Sequence, residues 1–156
     1  MIDDGDFAVT VPVPAGFDTD NFPFAVWRKP FWGLTGNSAP LTNPNDVIFL
    51  TAVMENDDGK ANTPRLAAQQ ATIASLLATT ALSREDRVKK LIKDMQAALG
   101  LPTGGPNFDD RIGAPQELRL TDEQIKAAQK KPQALPALEF KQGDADYLLI
   151  FELTAN

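Results

Sequence analysis

The chain has 156 residues, 43% of them hydrophobic, a formal charge of −6 at pH 7, and neither histidine nor cysteine. Such a chain can bury one respectable core but not two ordinary ones, so a single domain over residues 1–156 is expected. The composition excludes Ser-His-Asp and Cys-His nucleophile systems, histidine general bases and Cys/His zinc sites. The acidity argues against a sequence-independent grip on nucleic acid or an anionic membrane, since both draw on Lys and Arg.

The acidic start, Met1-Ile2-Asp3-Asp4-Gly5-Asp6, lacks a basic segment followed by an apolar one, so no targeting segment is read there. No window approaches the run of about 18 apolar residues needed to span a bilayer. A soluble chain is expected. A protein without thiols is indifferent to redox poise, and Met1 could replace a removed signal peptide, so cytoplasm and export both stay open.

The first third reads as extended structure. Phe7, Val9, Val11 and Val13 alternate onto one face, and Pro12 and Pro14 confine that strand to an edge or a terminus. Phe22 to Trp27 forms an aromatic segment bounded by Pro23 and Pro30, followed by a loop around Trp32 to Ser38. Asp46 to Met54 is the clearest central strand, because a continuous apolar run of β-branched and aromatic residues suits burial on both faces.

After the polar turn Glu55 to Lys60 the chain changes character. Thr63 as N-cap and Pro64 at the first helical position predict a helix to about Thr80. Ser83 with Asp86 approximates a capping box for a second helix, whose apolar stripe is Val88, Leu91, Ile92, Met95 and Leu99, with Gly100 at the C-terminal cap. Glu85 with Lys89 and Asp86 with Lys90 are spaced as favourable pairs. Together the two form a helical insertion over about residues 63–100.

A loop from Leu101 to Pro106 delivers the chain to Asn107-Phe108-Asp109-Asp110-Arg111-Ile112-Gly113, read as a cation-binding or tightly turned loop feeding a strand. Gln116 to Leu120 suits a short strand, and Thr121-Asp122-Glu123-Gln124 is a capping box for a short third helix to about Gln129, stopped by Pro132. Leu138 to Lys141 and Tyr147 to Leu153 flank Gln142 to Asp146, which favours an antiparallel hairpin. The order of elements predicts an α+β fold: a mainly antiparallel β-sandwich with an inserted helical hairpin and a short third helix.

The Asp109-Asp110-Arg111-Ile112-Gly113 segment, followed by Gln116 to Leu120 and ending with Asp146 to Leu153, resembles the C-terminal half of a C2 domain, in which an Asp-Asp-x-Ile/Leu-Gly loop precedes a strand. The resemblance covers about the last third of the chain. The first half departs from it: there is no Ser-Asp-Pro-Tyr loop, and the helical hairpin interrupts the sheet. The resemblance implies a β-sandwich module that binds calcium through acidic loops.

Read from the residues themselves, the candidate metal ligands are Asp109, Asp110 and Asn107 in one acidic segment and Asp57, Asp58 and Glu55 in another. Calcium takes six to eight oxygens from flexible loops, so carboxylates from two loops with carbonyls and water would suffice. Calcium is the only cofactor these residues suggest. Trp27 and Trp32 are the candidate partner contacts, toward a protein, lipid or carbohydrate surface. The favoured function is therefore a non-catalytic binding or interaction module, responsive to calcium through its acidic loops.

Two alternatives belong to other classes. A small hydrolase acting on carbohydrate could pair Asp109 or Asp110 with Glu55 or Glu139, using the tryptophans as sugar platforms. A structural or self-assembling subunit would need no small-molecule site, only an extended edge strand, from Phe7 to Val13, that pairs with another chain. Lys126, Lys130 and Lys131 are read as a solvated face of the third helix.

Overall fold

The computed structural model describes residues 41, 43–54, 62–100 and 111–155, with side chains of the first helix described from Leu66 onward. The strands expected at Phe7 to Val13 and Phe22 to Trp27 lie outside the described residues. Over the described residues the chain is mixed α+β, with three helices and six strands in three two-stranded antiparallel ladders.

A single 3₁₀ turn at Pro44–Asp46, capped by Asn43, leads into β1, Phe49–Met54. The expected strand from Asp46 is thus shortened, because Pro44 and the Asn43 cap commit the preceding residues to a turn. Every residue of β1 is only partly buried, so among the described residues it is not a strand covered on both faces.

Helix α1 spans Asn62–Ala78, so Thr63 lies inside it and does not cap it. Helix α2 spans Arg84–Ala98 and begins as its sequence predicts: Ser83 Oγ accepts from the Asp86 amide at 3.1 Å, and Val88, Leu91 and Met95 are buried. Past its end, Gly100 adopts φ +75°, the left-handed conformation that glycine reaches at least cost. Arg87 holds the two helices together by donating from Nε to Thr79 O at 3.2 Å and from Nη2 to Thr80 O at 3.1 Å. A cation there binds carbonyls just past the end of α1 and complements its dipole.

The ion pairs differ from the expected ones. Asp86 meets Lys89 at 3.8 Å, Lys90 meets Asp94 at 2.5 Å, and Glu85 reaches across to Arg119 at 3.6 Å. Side-chain direction and a tertiary partner, not spacing of four alone, select these contacts.

Strand β2, Arg111–Leu118, starts earlier than expected and takes in Arg111, Ile112 and Gly113, which the sequence assigns to the loop. It pairs antiparallel with β1, from Phe49 opposite Leu118 to Met54 opposite Arg111. Between the pairs Thr51–Gln116 and Val53–Ile112 lies one residue of β1, Ala52, against three of β2, Gly113, Ala114 and Pro115. This bulge explains a proline inside a strand, since an interrupted ladder leaves Pro115 with no hydrogen bond to donate. Gly113 takes φ +68° there, and a Cβ on it would sit 3.3 Å from the Lys141 backbone nitrogen. The bulge is therefore also where the next strand pair crosses.

Helix α3, Asp122–Ala128, carries the full capping box: Gln124 N donates to Thr121 Oγ1 at 3.2 Å and Thr121 N donates to Gln124 Oε1 at 2.8 Å. Strands β4, Leu138–Gln142, and β5, Ala145–Leu149, form the expected hairpin around Gly143 and Asp144, with Gly143 at φ +55°. The terminal strand expected from Tyr147 to Leu153 is broken after Leu149. Its last part, β6, Glu152–Leu153, turns away from the hairpin to pair with β3, Gln133–Ala134.

The core follows from these crossings. α2 packs on both α1 and β2, and β2 packs on β4, burying Leu91, Ile112 and Phe140 to 5% exposure or less. A second group, Leu118, Leu120, Ile125 and Leu135, gathers Leu41, Val47, Phe49, Leu138, Phe151 and Leu153 beneath α3. None of the described helices is long and apolar enough to cross a membrane.

Candidate functional site

The acidic segments are attached to one end of one ladder. Met54 closes β1 and continues into Glu55, while Arg111 opens β2 directly after Asp110, and Met54 and Arg111 are register partners. Asp57, Asp58, Asn107 and Asp109 follow within a few residues. All six candidate ligands, Glu55, Asp57, Asp58, Asn107, Asp109 and Asp110, lie outside the described residues, as do Trp27 and Trp32. Among the described residues no group of three or more Asp or Glu could hold a metal ion.

Arg111 fixes the frame of that ladder end. It is 5% exposed; its Nε donates to Gly100 O at 3.2 Å and its Nη1 to Gly113 O. One side chain thus ties the end of α2 to the bulge of β2, and supplies a cation beside helix carbonyls that lack an intrahelical partner. Within the Asp-Asp-Arg-Ile-Gly motif, Arg111 and Gly113 are therefore accounted for by the fold.

At the other end of the ladder Arg84 Nη2 donates to Val47 O at 3.0 Å and lies 2.6 Å from Glu117 Oε1, in an ionic contact without hydrogen-bond geometry. Both side chains are largely covered, and Arg84 Nε and Nη1 are shut from solvent with no acceptor among the described residues. A covered pair left partly unsatisfied positions α2 against β2 more than it stabilises the fold.

Glu139, a carboxylate the hydrolase reading would use, sits on β4 and is bound by Lys141 Nζ at 2.8 Å, with Asp146 on the facing strand at 3.1 Å. Those hydrogen bonds, donated first to Glu139 and then to Asp146, hold the Lys141 ammonium above its ordinary pKa. All three side chains are more than half exposed, so the cluster contributes little stability. Lys126, Lys130 and Lys131 line an open hollow over α3 with Glu123, a solvated basic face as the sequence suggests.

Asp94 on α2 is held below its ordinary value of 3.8 chiefly by hydrogen bonds from Lys90 Nζ, at 2.6 and 2.5 Å, against an opposing effect of burial. A carboxylate with a depressed folded pKa adds stability above its unfolded value and loses it as pH falls through the lowered one. Asp94→Asn should therefore flatten the loss of melting temperature below about pH 4. Equal acid sensitivity in the two proteins would contradict this role for the Lys90–Asp94 pair.

The most exposed apolar residues lie elsewhere. On α1 Leu66, Ile73 and Leu77 are 48%, 45% and 73% exposed, while Ser75 and Thr79 on the opposite face are buried against α2. On the hairpin and just beyond it, Tyr147, Leu148 and Ile150 are 37%, 59% and 73% exposed. Sequence reasoning assigned neither surface to a partner. The spacing of Leu66, Ile73 and Leu77 marks one helix face, but such a stripe ordinarily faces the core.

No family model, no curated protein and no solved structure matches this chain.

Proposed function

We propose that this protein is a non-catalytic interaction module, responsive to calcium through the acidic segments Glu55–Asp58 and Asn107–Asp110. The observation that carries the reading is the pairing of Met54 with Arg111, which attaches both segments to the same end of one ladder. A divalent cation would relieve their mutual repulsion and take oxygens from both, with Asp109 and Asp110 as first ligands and Glu55, Asp57, Asp58 and Asn107 completing the set. The C2-like sandwich belongs to the same proposal, supported by the acidic pair leading directly into an antiparallel strand. In it, Trp27 and Trp32 add contacts to a protein, lipid or carbohydrate surface.

Calorimetric titration with calcium tests the site. The wild-type chain should bind with a defined stoichiometry, and Asp109→Asn with Asp110→Asn should weaken binding at least about ten-fold, an effect of about 1.4 kcal/mol. Identical titrations of the two proteins, or no heat from either, would remove the cation from the account.

The apolar surfaces favour a second reading, a self-assembling subunit. Exposed leucines and isoleucines clustered on one helix face are uncommon on a monomer that meets no partner.

A further inference from the structure

We draw no further inference here: the strongest candidate, the exposed Leu66, Ile73 and Leu77 face of helix α1, is an apolar surface patch for which nothing in the structure shows what covers it.

Discussion

Replacing Phe140 by alanine should lower stability by about 3–5 kcal/mol, the range for truncating a fully buried aromatic residue. Phe140 is 1% exposed and is the largest of the fully buried side chains among the described residues. It sits in the middle of β4 where that strand crosses the bulge of β2, and its Cα lies 3.5 Å from where a Cβ on Gly113 would stand. For a chain of this length the loss corresponds to a melting temperature lower by roughly 6–20 °C. Urea unfolding of the two proteins measures it directly. A cost under about 1 kcal/mol, the mean for an ordinary substitution, would mean that β4 does not seal the core against β2.

Gly113→Ala attacks the same crossing from the other strand, and should cost about 2–3 kcal/mol. Two effects add. The backbone at φ +68° disfavours any side chain, and the new methyl would stand 3.3 Å from Lys141 N and 3.4 Å from Lys141 O, backbone atoms that move only with the whole strand. Gly143→Ala is the matched control: its φ is +55°, but nothing lies within 4 Å of the added atom. It should show only the conformational part, about 1 kcal/mol. Equal losses for the two variants would show that the close approach at Gly113 carries no cost. Because Gly113 and Phe140 share one contact, combining Gly113→Ala with Phe140→Ala should cost less than the sum of the separate changes.

The sequence makes visible those features that a few neighbouring residues decide. Ser83 with Asp86, Thr121 with Gln124, Gly100 after α2 and Gly143 in the hairpin turn all signal locally, and each stands where that signal places it. The bulge does not, because the need for glycine at 113 comes from Lys141, a residue 28 positions further along the chain. Nor does the break after Leu149. A pairing of two residues on each strand, Gln133–Ala134 with Glu152–Leu153, has no period to detect.

The orientation of α1 is hidden for another reason. Its Leu66, Ile73 and Leu77 stripe has the spacing of a core face, but α2 already supplies bulky residues at the contact and leaves room only for small ones. For the candidate site, the acidic segments stand out in the sequence alone, whereas the structure assigns the adjoining Arg111 and Gly113 to the fold. What the sequence could not supply is the register of Met54 with Arg111, which attaches both segments to one ladder end.

Thermal unfolding of the wild-type chain in millimolar calcium and again in excess chelator tests the central claim most directly, because a ligand that binds only the folded state must stabilise it. A midpoint several degrees higher with calcium, and no such rise when Asp109 and Asp110 are both changed to Asn, is the expected result. Superimposable wild-type curves would contradict it, leaving the acidic segments as solvated turns and the partner surfaces of α1 and the hairpin as the route to function.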